Sequence, residues 1–213
     1  MQFSEFSSRI VKVKKMELPG EDFHLKMAPI ERLLELKKKA REVKTAKQAA
    51  VLCLFYPSLE GETHLILILR KTYKGVHSAQ IGFPGGKVEP VDLSLEETAL
   101  RETEEEVGVP VQDVSVLKKL TEIYIPPSNF FVQPFLGISE TTPQFIPQES
   151  EVEALVEVPL QEFMSDSVLV DKLLKTSYAK QIKVPAFELQ GHIVWGATAM
   201  MLNEVRELLV RSL

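Results

Sequence analysis

The chain has 213 residues, of which 45% are hydrophobic and 26% charged, enough for one well-buried domain with the balance of an ordinary globular protein. A net charge of −5 does not favour a broad nucleic-acid surface, which needs a basic stripe, and no run reaches the ~18 consecutive apolar residues of a membrane span. Cys53 is the single cysteine, so an internal disulfide is excluded. Its apolar neighbours make it a core thiol rather than a nucleophile. With no apolar signal core near the N-terminus, the expected location is cytoplasmic.

Residues 1–47 read as a mostly helical, polar N-terminal extension, and residues 48–213 as the main domain. Ile30, Leu33, Leu34 and Leu36 support an amphipathic stretch, followed by the basic cluster Lys37–Arg41, which reads as a solvated face. The run Ala49–Phe55 predicts a buried strand, ended by Pro57 and Gly61. A second strand, Thr63–Leu69, delivers Arg70 to its end. His64 is expected at the surface.

Residues 71–93 lack periodicity and read as one long connection, a length that in a compact domain usually means function. Ser94-x-x-Glu97 predicts a capped start and Gly108 a stop for a helix over 94–107. Beyond it, Val114–Ile125 and Phe130–Ile138 read as strands. A polar loop, Thr141–Glu149, leads to a strand over Glu151–Val158. Leu160–Lys175 reads as partly helical, Ile182–Leu189 and His192–Trp195 as a hairpin around Gly191, and Ala197–Ser212 as an amphipathic helix.

The predicted helix concentrates the chemistry. At ~100° per residue, Glu102, Glu105 and Glu106 fall within an arc of roughly 100°. Acidic runs on helices are usually solvated faces. Here Ala99, Leu100, Thr103 and Val107 form a separate core-facing sector, and Glu97, Arg101 and Glu104 a third, so the three carboxylates are not the leftover solvent side. A divalent cation with oxygen ligands answers their mutual repulsion, which points to Mg²⁺ or Mn²⁺ held by Glu102, Glu105 and Glu106.

The stretch Phe83–Val109 resembles the box of the Nudix hydrolases, G-x5-E-x7-R-E-U-x-E-E-x-G-U, with U a bulky apolar residue. Gly86, Arg101, Glu102, Glu105, Glu106, Gly108 and Val109 match. Thr103 stands at the first U, and the Gly86-to-Arg101 interval is one residue longer than the pattern. The first box acid falls on Asp92, with Glu89 close by, so either is a candidate partner for Arg101. The resemblance implies an α+β fold, a Nudix-like α/β/α sandwich around a mixed β-sheet, and metal-dependent hydrolysis of a nucleoside diphosphate linkage.

Arg70 and the Phe83-Pro84-Gly85-Gly86 end resemble, in register, the upstream motif of the coenzyme A pyrophosphatase branch. Gly75 and Ala79 replace an Arg and a Gly of that motif, and Lys74 and His77 offer positive charge nearby. The implied substrate is coenzyme A or an acyl-coenzyme A, cut to 3′,5′-ADP and 4′-phosphopantetheine. Arg70, Lys71 and Lys74 are then the candidate cations for its phosphates. Gly85 and Gly86 let the backbone approach the site. Phe83, Tyr124 and Phe130 are candidate supports for adenine, with core packing the alternative for each.

Arg101 is expected to orient a box carboxylate. The general base is open between Glu105 or Glu106 within the box and Glu149, Glu151 or Glu153 beyond it, with Glu151 favoured. Other nucleoside diphosphate derivatives (ADP-ribose, NADH or a dinucleoside polyphosphate) form the alternative substrate class. A non-catalytic nucleotide-binding module is a third reading. The expected partner is a small molecule, with no nucleic acid and no membrane, and the reading leaves room for a homodimer.

Overall fold

The computed structural model describes residues 1–29, 45–72, 80–174 and 182–213. The amphipathic stretch from Ile30, the cluster Lys37–Arg41, and Lys74, Gly75, His77 and Ala79 lie outside these residues.

At the N-terminus, α1 (Phe3–Ile10) runs into a 3₁₀ turn (Val11–Lys15), and a short α2 (Glu21–Leu25) follows. Phe3, Phe6, Ile10 and Val13 are buried in the same apolar cluster as Phe55, Leu65 and Leu208. This segment therefore helps to build the core instead of lying on the surface. The Phe3 amide donates to the Gly61 carbonyl at 2.8 Å, and Lys118 Nζ to the Met16 carbonyl at 2.7 Å.

The main sheet is built around β1 (Lys47–Pro57). β1 pairs antiparallel with β2 (Thr63–Arg70) and with β4 (Gly85–Lys87), and parallel with β7 (Phe130–Ser139). β2 carries β3 (Ile81–Gly82) and β8 (Val152–Pro159), and β7 carries β5 (Val114–Lys119) and β6 (Ile123–Ile125), all antiparallel. The sheet is therefore mixed. β1 and β2 read as continuous apolar runs because both of their faces are covered. Leu52, Leu54, Ile66 and Ile68 pack toward α3 (Leu95–Val107), beside Ala99 and Val107. Cys53, Phe55, Leu65 and Leu67 face the opposite layer, where α5 (Gly196–Ser212) supplies Leu202, Val205 and Leu209. This is the expected α/β/α sandwich.

Several elements depart from the expectations. The connection 71–93 contains β3 and β4, which are too short to leave a periodic signal. Val114–Ile125 is divided into β5 and β6 at Leu120, whose amide donates to the Pro134 carbonyl at 3.0 Å. Within 160–174, helix consists of α4 (Leu160–Phe163) and a 3₁₀ turn over Asp166–Val168, as the partly helical reading expects. β9 (Leu169–Leu174) follows, pairing with β10 (Ile182–Leu189) in a separate sheet completed by β11 (His192–Trp195). The β10–β11 hairpin turns at Gln190 and Gly191, both with positive φ. His64 is partly exposed and Cys53 is a buried free thiol, as expected.

Candidate active site

The helix that carries the carboxylates is fixed at both ends. Ser94 Oγ accepts from the Glu97 amide at 3.1 Å, and Gly108 closes the C-terminus in the left-handed conformation. Thr103, where the pattern wants a bulky apolar residue, is buried and donates its hydroxyl back to the Ala99 carbonyl at 2.7 Å. Its polar atom is thus satisfied inside the helix.

Arg101 sits at the centre of the acidic face. Its Nε donates to Asp92 Oδ1 at 2.8 Å and its Nη2 to Asp92 Oδ2 at 3.0 Å; further donations reach Glu102 Oε1 at 3.0 Å, Glu105 Oε2 at 2.9 Å and the Lys87 carbonyl at 3.3 Å. Asp92, and not Glu89, is therefore the partner of Arg101. Asp92 Oδ2 also accepts from Thr98 Oγ1 and the Glu89 amide. The Arg101 hydrogen bonds hold the Asp92 carboxyl well below the usual carboxylate range. The Thr98 contact was missed from the sequence, where a threonine one turn into a helix carries no distinguishing signal.

Gly85 and Gly86 press the β4 turn against this helix. A Cβ on Gly86 would lie 2.4 Å from the Glu102 carboxyl, and one on Gly85, whose φ is 145°, would strike the Ala50 carbonyl at 2.4 Å. Only glycine permits this approach. The Gly85 amide donates to Glu106 Oε2 at 2.7 Å.

Glu106 is the buried member of the carboxylate set, with 1% of its side chain exposed, while 51% of the Glu105 side chain is exposed. Its Oε1 is buried and accepts no hydrogen bond. Burial pushes the Glu106 carboxyl up to about 7; the charges of Glu102 and Glu151 act in the same direction, against Arg70 and the Gly85 amide. Burial likewise raises Glu102, with Glu105 and Glu151 adding to the shift and Arg101 opposing it. Glu151 is thus brought close enough to repel both. Its backbone carbonyl accepts from the Lys71 amide at 2.8 Å, tying the start of β8 to the end of β2. Glu149 and Glu153 are exposed and do not figure among the charges acting on Glu102 or Glu106.

Among the described residues, no three His, Cys, Asp or Glu side chains are gathered at metal-ligand spacing; Glu102 and Glu105 are both ion-paired with Arg101. The donor set nevertheless fits a divalent cation. It offers a buried carboxylate oxygen at Glu106 that accepts no hydrogen bond, and mutually repelling carboxylates at Glu102 and Glu151, with Glu105 one helical turn from Glu102.

Arg70 points into this site: Nη2 donates to the Gly85 carbonyl at 2.6 Å and Nη1 lies 3.3 Å from Glu106 Oε1. Lys71 follows, half-buried, at the strand end. Lys74 lies outside the described residues. Of the aromatic candidates, Phe83 is fully packed in the core, Phe130 packs against it, and the Tyr124 hydroxyl donates to Asn129 Oδ1 at 2.9 Å.

Residues 46–180 match the profile of the NUDIX domain. The chain belongs to the Nudix family. It is 33% identical over 177 residues to the "Uncharacterized Nudix hydrolase NudL" of Pectobacterium atrosepticum, covering 81% of this chain and 88% of that one. Against the protein of the same name from Yersinia pestis it is 34% identical over 164 residues, covering 76% and 80%. Among solved structures, the M. smegmatis Nudix hydrolase RenU superposes with a TM-score of 0.54 at 16% identity, covering 78% of this chain and 87% of that chain. A MutT/nudix family protein from Enterococcus faecalis gives 0.53 at 15%, covering 89% and 73%. These structures share the Nudix fold. Nudix hydrolases use divalent cations, and the family reaction is hydrolysis of a nucleoside diphosphate derivative. Among the described residues, no helix is long and apolar enough to cross a membrane.

Proposed function

We propose that this Nudix protein hydrolyses the diphosphate of coenzyme A or an acyl-coenzyme A, releasing 3′,5′-ADP and 4′-phosphopantetheine. The observation that carries the hydrolytic reading is the buried Oε1 of Glu106, which accepts no hydrogen bond and is set among Glu102, Glu105 and Glu151. Retention of these carboxylates argues against a purely nucleotide-binding module. The coenzyme A reading rests on Arg70 and Phe83–Gly86, which resemble the upstream motif of that branch.

Glu102, Glu105 and Glu106 would hold Mg²⁺ or Mn²⁺. Such an ion, when bound, neutralises phosphate charge and lowers the pKa of an attacking water. The protein's own groups do the rest. Arg101, anchored on Asp92, aims Glu102 and Glu105. The Gly85 amide fixes one oxygen of Glu106 and leaves the other open. Glu151, close to Glu102 and Glu106 but in the turn before β8 and not on α3, accepts the proton of the attacking water as general base. Lys71, with Lys74, supplies charge for the 3′-phosphate.

A rate comparison over coenzyme A, 3′-dephospho-coenzyme A, ADP-ribose and NADH tests the substrate. The reading expects coenzyme A to turn over roughly ten- to a hundredfold better than its dephosphorylated form, the worth of one charge-assisted phosphate contact. Lys71→Ala should narrow that ratio. Faster turnover of ADP-ribose than of either coenzyme would support the alternative substrate class.

A further inference from the structure

Arg70 sits where the strand ladder breaks. β2 and β8 pair in step through Leu69↔Ala154 and then skip a residue, so that Arg70 stands opposite Val152. The extra residue, Glu153, lies on β8, so the bend falls there and the alternation of β2 runs on unbroken. Ile66 and Ile68 face α3, and Arg70 continues along that side. Two of its guanidinium nitrogens are committed inward, Nη2 to the Gly85 carbonyl at 2.6 Å and Nη1 toward Glu106 Oε1 at 3.3 Å, and only 25% of the side chain is exposed. A cation meant for a substrate phosphate would present these donors outward. The approach of Nη1 to Oε1 is ionic without being a hydrogen bond, so the carboxylate oxygen has a positive neighbour while its lone pairs stay open.

We propose that Arg70 is a positioning residue, a resident counter-cation that holds Glu106 and the Pro84–Gly86 turn in place and competes with the divalent ion for Glu106. The proposal rests on the reading of Glu106 as a metal ligand. Arg70 compensates the Glu106 charge when no ion is bound. It also fixes the Gly85 carbonyl, and through that residue's amide the direction of the carboxylate. Its positive charge must weaken cation binding at the same oxygen.

The test is Mn²⁺ affinity, measured from the free-ion electron paramagnetic resonance signal, alongside kcat and KM, for the wild type, Arg70→Met, Arg70→Lys and Glu106→Gln. Arg70→Met should bind Mn²⁺ about tenfold more tightly, since a unit charge beside a divalent ion is removed from a partly screened site. Its kcat should fall at least ~tenfold on coenzyme A, 3′-dephospho-coenzyme A and ADP-ribose alike, because the loss is one of orientation. Arg70→Lys, which keeps the charge, should return Mn²⁺ affinity to near the wild-type value. If Arg70→Met does not fold, Arg70→Gln has the same neutral charge and the same expected tightening. Unchanged Mn²⁺ affinity in the neutral variants, or a defect confined to KM on substrates with a 3′-phosphate, would overturn the proposal and make Arg70 a substrate contact. Wild-type Mn²⁺ affinity in Glu106→Gln would overturn the metal reading as well, a failure distinguishable because it appears in a variant that retains Arg70.

Discussion

Arg101 grips Asp92 through two parallel hydrogen bonds, at 2.8 and 3.0 Å, between residues nine apart in the chain. This bidentate pair ties the loop before α3 to the helix face that carries Glu102 and Glu105. Asp92→Asn should therefore lower Tm and kcat together. Loss of the charge-assisted pair is worth roughly 1–2 kcal/mol, or a Tm decrease of about 2–8 °C for a chain of this size. The Asp92 carboxyl lies well below its ordinary value in the folded protein. Its stabilisation is thus complete above the unfolded-state pKa and is lost as pH falls toward the folded value. Thermal melts from pH 7 down to pH 3 should show the gap between wild type and Asp92→Asn closing in acid.

Glu106→Gln and Glu105→Gln should each lower hydrolysis by at least ~10²-fold, as removal of other key electrostatic groups does. Chelation should abolish activity, and Mg²⁺ or Mn²⁺ should restore it. The metal-free protein should not be destabilised by Glu106→Gln. Its carboxyl is raised to about 7, so the associated stability is present below the unfolded-state pKa and is lost as pH rises through 7. In chelator, the wild-type Tm should fall between pH 5 and pH 8 relative to that of Glu106→Gln. A variant that melts lower than wild type at pH 8 would contradict this.

Glu151→Gln should reduce kcat with little change in KM, since a general base acts in the transition state. Glu149→Gln and Glu153→Gln should leave both parameters near wild type. If none of the three variants lowers kcat, the base lies within the box.

What could be read from the sequence was local in its physics. Ser94 and Gly108 mark the ends of α3 because capping is decided within a few residues. The β1 and β2 runs are recognisable because burial on both faces leaves no alternation to confuse. The choice between Asp92 and Glu89 was not legible, since both lie near the helix start and only the folded turn, in which the Glu89 amide donates to the Asp92 carboxylate, sets Asp92 against Arg101. β9 was not separated from the partly helical stretch Leu160–Lys175, because Leu169, Val170, Leu173 and Leu174 do not keep the strict alternation of a half-exposed strand. The face of β2 that carries Arg70 follows from the Ile66/Ile68 alternation, but its engagement with Gly85 and Glu106 joins segments that no single stretch encodes.

Away from the site, Glu204 on α5 is fully buried; it meets His24 Nε2 at 3.0 Å and accepts from Thr121 Oγ1 at 2.5 Å and the Gly20 amide at 3.3 Å. Burial pushes its carboxyl up, but the hydrogen bonds from His24 and Thr121 outweigh that and leave it below its ordinary value. Glu204→Gln should lower Tm at pH 7, by about 3–12 °C for the ~1.5–3 kcal/mol of a charged hydrogen-bond network. The difference should shrink as pH falls below the unfolded-state pKa, and kcat should be unchanged. A Glu204→Gln enzyme of wild-type stability would show that this cluster does not anchor the N-terminal segment.

The most direct measurement is mass-spectrometric identification of the products from coenzyme A, with Mg²⁺ or Mn²⁺ and with chelator, for the wild type and Glu106→Gln. The account predicts 3′,5′-ADP and 4′-phosphopantetheine from the wild type with metal. It predicts neither product with chelator, and only traces from Glu106→Gln. Intact coenzyme A after incubation with metal-loaded wild type that cleaves ADP-ribose would contradict the substrate assignment, and equal cleavage by wild type and Glu106→Gln would contradict the site.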